Sequence, residues 1–455
     1  MKLDRVVLIQ PPVDKRFQGS DMVFKRLAPP TGLAILACET EQRLKRPVRI
    51  RAYFPSEITD GMIRVTSEAD FLGISSWFSN YENGLEIARR AKEANPYLRV
   101  IFGGVNASNL GGRILKNRSC VDLVLAGDGE DSLHWLTMFP KPKQGERPLK
   151  QILVANEIDL DSIGPWDFRH FPDARLDPWD FRREGYSFDY DLSPVGISMT
   201  RGCKKAATKG RCLYCSVYCR GLRTTDPDNV WRQVCHLQDL YGVESFFETG
   251  DDPVMMSYVR QLVKAKPHGL RFRLRIYASP WHLTQECIDL LAELGVYEIF
   301  LGLETIDQNI SDRAGHPFST KQTVEALNRL SQAGISVCLP IMLGLPGETR
   351  ESAQKTIDFV EEQIGRFDNI RMVLCSLAIP LIGSRWFEDL RQDPAVRSRY
   401  TGDLDNDDVF DYARLLELSL QRERQITLGD LIEILETSRA RLEDKVEVGC
   451  FGGLA

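Results

Sequence analysis

The segment Val195-Gly-Ile-Ser-Met-Thr-Arg-Gly-Cys203 leads into a cysteine-rich stretch that continues with Cys212-Leu-Tyr-Cys215 and Cys219. Four of the eleven cysteines therefore fall within seventeen residues, directly after a predicted strand. Thiolates prefer soft metals, so this density predicts either a zinc site or an iron–sulfur centre. Structural zinc usually takes four ligands in two pairs, whereas a cluster held by three cysteines leaves one iron open. The spacing alone leaves both metals open.

The run Met199-Thr-Arg-Gly-Cys203 to Cys212-Leu-Tyr-Cys215 resembles the cluster loop of the radical S-adenosylmethionine (SAM) superfamily. That loop has a strand ending in Arg-Gly-Cys, then two cysteines two residues apart with an aromatic residue before the last. Here the first gap has eight residues, 204–211, instead of the usual three, and four of them are basic. The resemblance implies that Cys203, Cys212 and Cys215 bind a [4Fe-4S] cluster and that Tyr214 packs on the adenine of SAM. We expect Cys219 to be a buried thiol, with a fourth cluster ligand as the alternative. We expect the insert to be a solvated loop, with a binding site for an anionic substrate as the alternative.

The composition is that of an ordinary soluble protein, with 43% apolar residues, 27% charged residues and a net charge of −6. This balance gives no reason to expect nucleic acid or an anionic membrane as a partner. No apolar run approaches the about 18–20 residues of a membrane span, and residues 1–10 enter a strand without a signal-peptide pattern. The remaining cysteines are scattered and their total is odd, which favours free thiols in a reducing cytoplasm.

The first part of the chain, residues 1–140, alternates apolar strands with helices, which predicts a Rossmann-like, doubly wound parallel sheet. Ligands bind beyond the carboxyl ends of the strands in such sheets. The segment resembles the cobalamin-binding domain that precedes many radical SAM cores, and the resemblance implies that cobalamin lies against residues at those strand ends. These residues are Ser75, Ser76, Gly103, Gly104 and Asn106. A domain that has lost cobalamin and only packs against or positions a substrate is the alternative.

The second part contains six strand–helix units over residues 195–385, which predicts a partial (β/α)6 barrel of the TIM type rather than a closed barrel of eight. Residues 141–194 are irregular and are predicted to form an ordered linker. Residues 386–455 are predicted to form a C-terminal helical region.

The carboxyl ends of parallel barrel strands meet at one opening, so residues at these positions are expected to converge. They are Cys203, Gly250, Asp251, Asp252, Tyr277, Glu304, Gly344, Gly347 and Glu348. By resemblance, Gly250-Asp251-Asp252 contacts the methionine amine of SAM, Glu304 contacts its ribose or methionine group, and the turn from Gly344 to Gly347 lies near adenine. Each of these motifs alone would be an ordinary turn, helix start or strand-end carboxylate.

A cobalamin-type domain before a radical SAM core implies methyl transfer to an unactivated carbon or phosphorus of a small molecule. The implied cofactors are a [4Fe-4S] cluster, SAM and cobalamin, and the implied partner is an electron donor such as flavodoxin or ferredoxin. Two alternatives stay open. The irregular cysteine spacing permits a different cleavage of SAM, with transfer of a 3-amino-3-carboxypropyl group and an N-terminal domain that has lost cobalamin. A zinc-stapled binding protein without catalysis is the non-enzymatic alternative.

Overall fold

Two parallel β-sheets, one in each half of the chain, organise the protein. The computed structural model describes residues 4–17, 30–44, 48–55, 57–132, 150–171, 195–218, 221–316 and 319–451. Cys219 lies outside these residues, so its predicted burial stays a prediction. No helix in the described ranges is both long and apolar enough to cross a membrane.

The first sheet has six parallel strands in the order β2-β1-β3-β4-β5-β6. The strands are β1 (Asp4–Ile9), β2 (Val48–Tyr53), β3 (Phe71–Ser75), β4 (Arg99–Gly103), β5 (Leu123–Ala126) and β6 (Gln151–Val154). The helices are α1 (Thr31–Arg43), α2 (Asp60–Ser67), α3 (Tyr81–Ala94), α4 (Gly104–Leu110), α5 (Gly112–Asn117) and α6 (Gly129–Ser132). The strand order reverses between β1 and β3, which confirms the predicted doubly wound sheet.

Strand β6 lies inside the segment predicted to be a linker. Its residues pair in parallel with β5 and alternate between half-buried and exposed positions, as an edge strand does. The rest of the described linker packs against the first sheet, because Ala52 N donates to His170 O at 2.7 Å. Residues 150–171 therefore extend the first domain beyond the predicted limit of residue 140.

The second sheet has seven parallel strands in the order β15-β14-β13-β12-β11-β10-β7, beside a small antiparallel hairpin of β8 and β9. The strands are β7 (Val195–Ile197), β8 (Thr200–Gly202), β9 (Leu222–Thr224), β10 (Ser245–Glu248), β11 (Arg273–Ala278), β12 (Val296–Leu301), β13 (Ser336–Leu343), β14 (Ile370–Leu377) and β15 (Glu447–Phe451). The helices here are α7 (Lys204–Lys209), α8 (Pro227–Tyr241), α9 (Met256–Ala265), α10 (Gln285–Leu294), α11 (Gln308–Ala314), α12 (Thr320–Gln332), α13 (Arg350–Arg366), α14 (Arg385–Gln392), α15 (Pro394–Arg397), α16 (Tyr412–Glu423) and α17 (Leu428–Leu442). Strands β7 and β10–β14 are the six predicted units of the partial barrel.

Strand β15 corrects the prediction that residues 386–455 form only helices. It pairs in parallel with β14 through five residue pairs and becomes one edge of the second sheet. Its sequence, Glu447-Val-Gly-Cys-Phe451, is short and contains glycine, so periodicity alone gave little indication of a strand. The helices predicted in this region are present as α16 and α17.

The two halves of the chain are in close contact. A Cβ atom on Gly196 of β7 would lie 2.0 Å from Thr31 Oγ1 of α1, so only glycine allows the helix to approach the second sheet this closely. The C-terminal region also reaches the first domain, because Asp408 accepts hydrogen bonds from Tyr81 Oη at 2.6 Å and from Arg118 Nε at 2.7 Å. The carboxyl ends of the two sheets are thereby held near each other.

Candidate active site

The hairpin that leads to Cys203 is fixed by a buried carboxylate, Glu248, at the carboxyl end of β10. Its oxygens accept hydrogen bonds from Met199 N, Thr200 N and Thr200 Oγ1, each at 2.8 Å, and from Gly250 N at 3.1 Å. Burial raises the pKa of Glu248 to about 7. No sequence signal marks this role, because a glutamate at the end of a strand is common.

Gly250 makes this attachment possible. A Cβ atom at this position would lie 2.0 Å from Thr200 Oγ1 and 2.8 Å from Glu248 Oε1. The hairpin is also hydrogen-bonded to the residue after Gly250, since Asp251 N donates to Gly202 O at 3.2 Å. The predicted acidic motif 250–252 and the first cysteine therefore lie side by side.

The basic insert between the first two cysteines is a helix, α7, so the expectation of a solvated loop was wrong. Cys203 begins this helix, and its Sγ atom accepts a hydrogen bond from Ala206 N at 3.5 Å. Lys205 is buried and donates through Nζ to Gly210 O at 2.8 Å, just after the helix ends. The helix turns the long insert back on itself, which allows Cys212 to return to the neighbourhood of Cys203.

The three predicted ligands are neighbours. Burial, opposed by a backbone hydrogen bond from Val217 and helped by the nearby Cys212, Asp251 and Cys203, raises the pKa of Cys215 to about 11. Burial likewise raises the pKa of Cys203 to about 11 and raises the pKa of Cys212. The thiols are therefore protonated at neutral pH in the metal-free protein, and metal binding must displace their protons.

These thiols do not converge on one point. In the described part of the chain, no three His, Cys, Asp or Glu side chains are grouped so that they could hold a metal ion. Structural zinc requires four ligands within about 2.0–2.3 Å of one atom, and the described residues do not provide that arrangement. In an iron–sulfur cluster each thiolate binds a different iron atom, so its ligands are spread around the cluster.

Two carboxylates beside the cysteines lack partners among the described residues. Asp251 is exposed to solvent at the opening of the second sheet, and partial desolvation together with the charge of Asp252 raises its pKa to about 6. Glu304 is half-buried, and desolvation raises its pKa to about 7. Glu304 also lies close enough to Tyr214 and Cys212 to raise their pKa values, after the larger effect of burial. Free acceptors at these two positions can receive donors from a ligand.

The backbone of Glu304 is itself unusual. Its φ of 60° lies in the left-handed region, which is rare for residues other than glycine. Hydrogen bonds to the neighbouring strand hold it there, because Glu304 N donates to Pro340 O at 3.0 Å and Glu304 O accepts from Met342 N at 2.9 Å. Strained backbone of this kind is concentrated at ligand-binding positions.

Unlike Asp251, Asp252 is buried and contacts other side chains. Its Oδ2 atom lies 3.2 Å from His282 Nε2 and accepts from Ser279 Oγ at 3.4 Å, while Oδ1 is buried without a hydrogen-bond partner. His282 also lies 3.4 Å from Lys204 Nζ through Nδ1. Of the two predicted acids, Asp251 is the one open to a ligand from solvent.

Tyr277 lies on the inner face of the second sheet as part of an aromatic wall. Its ring centroid is 5.4 Å from that of Phe247 and 5.1 Å from that of Phe300, and the side chain remains 38% exposed. Burial by the surrounding walls raises its pKa to about 12. An exposed aromatic surface inside a barrel can bind a planar or apolar molecule.

The glutamate that follows the predicted turn from Gly344 to Gly347 hydrogen-bonds back to the start of that turn. Glu348 Oε2 accepts from Gly344 N at 2.8 Å, and both glycines have positive φ, of 94° and 98°. A Cβ atom on Gly344 would lie 2.8 Å from Leu431 Cδ1, so this residue packs against α17. The proposed contact of this turn with adenine stays a prediction.

The predicted cobalamin residues line the carboxyl end of the first sheet. Ser75 ends β3 and Gly103 ends β4, and Ser76 N donates to Gly103 O at 2.8 Å. Gly104 has φ 87°, and a Cβ atom there would lie 2.7 Å from Ser76 O. Asn106 is buried in α4, and its backbone N donates to Ser76 O at 3.2 Å. The five residues thus form one closely packed turn beside the switch point.

The cysteine loop lies directly against this edge of the first sheet. Arg201, two residues before Cys203, hydrogen-bonds Glu130, and its Nη1 atom lies 3.3 Å from Asp128 Oδ1. On the other side of the loop, Asn109 Nδ2 donates to Ser216 O at 2.8 Å. The cysteine loop of the second half is therefore in contact with the carboxyl edge of the first sheet.

Comparison with known proteins agrees with this geometry. Residues 197–360 match the family described as the Radical SAM superfamily. The chain carries a radical SAM domain. The protein is an enzyme, so the zinc-stapled binding protein without catalysis is set aside.

The chain is 24% identical over 407 residues to an uncharacterized methyltransferase of Pyrococcus horikoshii, covering 85% of this chain and 83% of the relative. It is 23% identical over 355 residues to cytidylyl-2-hydroxyethylphosphonate methyltransferase of Streptomyces wedmorensis, covering 67% of this chain and 64% of that relative. The fold is similar to that of the radical SAM methyltransferase TsrM from Kitasatospora setae with cobalamin and a [4Fe-4S] cluster bound. That match has 15% identity and a TM-score of 0.61, and it covers 87% of this chain and 77% of TsrM. TsrM with tryptophan and a SAM analogue matches at a TM-score of 0.66 with 15% identity, covering 96% of this chain and 89% of that one.

Proposed function

We propose that this enzyme is a cobalamin-dependent radical SAM methyltransferase that acts on an unactivated carbon or phosphorus of a small molecule. The observation that carries the proposal is the contact between the cysteine loop and the carboxyl end of the first sheet, through Arg201 with Asp128 and Asn109 with Ser216. A methyl carrier bound at that edge would lie next to a cluster bound by the cysteines. The names of the two methyltransferase relatives and the cofactors of TsrM support the same reaction.

The residues at the site suit the proposed cofactors. Cys203, Cys212 and Cys215 would hold a [4Fe-4S] cluster, and the unpartnered Asp251 and Glu304 would receive the ammonium and hydroxyl donors of SAM. When bound, these groups supply a low-potential electron for cleavage of a C–S bond, and the corrinoid carries a methyl group.

The protein's own residues would position the cofactors and the substrate and would shield them from water. Glu248 fixes the hairpin that leads to Cys203, and Asp252 is tied to His282 beside it. The glycines of the first sheet allow a flat ligand to approach the backbone. The aromatic wall of Phe247, Tyr277 and Phe300 would receive the substrate and restrict water, which favours a small molecule with a planar or apolar part.

The decisive experiment is the analysis of protein purified without oxygen and supplied with iron, sulfide and hydroxocobalamin. We expect about four iron atoms and about one corrinoid per chain, and we expect 5′-deoxyadenosine and S-adenosylhomocysteine as products of SAM. Methylthioadenosine as the main product would instead indicate transfer of the 3-amino-3-carboxypropyl group. A protein with iron but no corrinoid would contradict the role of the first domain.

Matched cysteine variants test the cluster ligands. Replacement of Cys203, Cys212 or Cys215 by serine is expected to reduce the iron content severely, because a hydroxyl is a poor iron ligand. Cys235→Ser, in helix α8, is the control and should retain iron. Cys219→Ser should also retain iron if Cys219 is a thiol without a ligand role.

A further inference from the structure

His282 connects the helix of the basic insert to the acidic motif 250–252 at the carboxyl edge of the second sheet. Its Nδ1 atom lies 3.4 Å from Lys204 Nζ, at the start of α7, and its Nε2 atom lies 3.2 Å from Asp252 Oδ2. The side chains of His282 and Asp252 are 4% and 6% exposed, so their contact lies in a low-dielectric interior where hydrogen bonds are stronger than in water. These contacts form one chain from the residue after Cys203 to Asp252.

The direction of both hydrogen bonds follows from the chemistry of the three groups. An ammonium has three N–H donors and no acceptor, so Lys204 must donate and His282 Nδ1 must accept. The ring proton then lies on Nε2, from which it is donated to the Asp252 carboxylate. Lys204 Nζ also donates to Val254 O at 3.4 Å, which holds the ammonium beside the ring. The chain of contacts therefore favours the imidazole tautomer that carries its proton on Nε2.

The orientation of Asp252 depends on His282. Besides His282, only Ser279 contacts this carboxylate among the described residues, since its Oγ atom donates to Oδ2 at 3.4 Å while Oδ1 is buried without a partner. On the main chain, Asp252 O accepts from Lys204 N at 3.4 Å, and Cys203 forms a parallel β-bridge with Asp252. Lys204 and Asp252 are therefore connected through their backbones and, by way of His282, through their side chains.

This double connection fixes the separation between Cys203 and Asp251. Asp251 directly precedes Asp252, its backbone N donates to Gly202 O at 3.2 Å, and its side chain is exposed. A ligand that is held at two points binds tightly only when the protein fixes the separation of those points in advance. Under the proposed function SAM is such a ligand, because it would bind the open iron of the cluster and Asp251 together.

We propose that His282 is a positioning residue for SAM, which acts by accepting a hydrogen bond from Lys204 and donating one to Asp252. The inference rests on the proposed function, since it requires a cluster at the cysteines and SAM at Asp251. It gives the first residue of the eight-residue insert a role, because Lys204 links the first cluster cysteine to the acidic motif. His282 acts through Asp252 and needs no contact with the ligand.

The test is the dissociation constant of SAM, measured by anaerobic equilibrium dialysis on reconstituted full-length protein without a reductant, so that no SAM is consumed. His282→Phe keeps a flat ring beside Trp281, whose centroid lies 3.6 Å from that of His282, but removes both hydrogen bonds. We expect the dissociation constant to rise about tenfold or more at unchanged iron content and thermal midpoint, the usual size when a group that orients a residue at a metal site is lost. His282→Gln keeps an acceptor and a donor and should bind SAM nearly as the parent does.

His236→Phe is the matched control. His236 Nε2, in helix α8, lies 3.6 Å from Asp167 Oδ2, so this variant removes a histidine–aspartate contact outside the candidate site and should leave the dissociation constant unchanged. Lys204→Met, alone and combined with His282→Phe, completes a double-mutant cycle. If Lys204 and His282 act through one chain of contacts, the double variant should bind SAM about as weakly as His282→Phe alone.

Iron content and the glutamine variant separate the possible outcomes. If the parent binds no cluster or no SAM, the proposed function fails and this inference fails with it. If the parent binds both and His282→Phe binds SAM equally well, only the inference is overturned. Loss of iron or weak binding in both His282→Phe and His282→Gln, or additive effects in the cycle, would overturn it too, because the hydrogen bonds would not be the cause. Loss of iron in His282→Phe with normal binding in His282→Gln would support it.

Discussion

Replacing Glu304 with glutamine should stabilise the metal-free protein at pH 8 and weaken its binding of SAM. The Glu304 carboxylate forms no hydrogen bond or ion pair within the described residues, and burial raises its pKa from 4.5 to about 7. Between these two pH values the folded chain holds a proton that the unfolded chain has released. The free energy of unfolding therefore falls as pH rises through this window, and the loss is complete above about pH 7.

The size of the effect follows from the pKa shift. A shift of one pKa unit corresponds to about 1.4 kcal/mol, so a change from 4.5 to about 7 sets an upper limit of about 3.4 kcal/mol. Glu304 is only half-buried and solvent reaches its carboxylate, so we expect Glu304→Gln to gain about 1–2 kcal/mol at pH 8. At pH 4.5 the side chain is largely protonated in the folded protein, and the gain should nearly vanish.

Glu348 provides the matched control, because burial raises its pKa to about 7 as well. Its oxygens accept from Gly344 N at 2.8 Å and from Ser352 Oγ at 3.2 Å. A glutamine there presents its NH2 group to one of these two partners, so either Gly344 N loses its acceptor or the Ser352 hydroxyl must turn to accept. This rearrangement costs about 0.5–1.5 kcal/mol and offsets part of the gain. Urea unfolding of the parent and both variants at pH 4.5 and pH 8 measures the difference. Equal or lower stability of Glu304→Gln than of the parent at pH 8 would refute the reasoning.

Three further substitutions test contacts around the site. Arg201→Ala should lower the free energy of unfolding by about 3 kcal/mol, because it leaves the buried Glu130 carboxylate without this partner and removes one of the two arginines beside Asp128. Arg5→Ala, in an exposed pair 3.7 Å apart, should cost less than about 1 kcal/mol in the same urea titration. Gly250→Ala should destabilise the fold by several kcal/mol and reduce iron content, because its Cβ atom would meet Thr200 Oγ1 at 2.0 Å. Gly365→Ala in helix α13 has no atom within 4 Å of its Cβ and should raise the thermal midpoint, with a gain of about 0.5–1 kcal/mol; a lower midpoint would contradict the packing described.

Local sequence patterns predicted the architecture and the positions of the candidate site residues. The alternation of strands and helices predicted both parallel sheets, because parallel neighbours need a crossover connection between them, which is usually a helix. Residues at the carboxyl ends of parallel strands lie at one edge of the sheet, so Asp251, Tyr277 and Glu304, together with Cys203 after the hairpin, could be predicted to lie near one another. The short edge strands β6 and β15 were missed, since each depends on pairing with a distant strand and carries little periodicity.

What each of these side chains does depended on partners far along the chain. The sequence could not distinguish Asp251 from Asp252, and the difference arises because His282 and Ser279 bind only the second. It could not distinguish Lys205 from the other basic residues of the insert, since only the fold of α7 turns this one inward. Burial and charge are set by every group within several ångströms, and most of those groups are distant in sequence. The sequence therefore predicted which residues form the candidate site, and the tertiary structure decided which of them have partners within the described chain.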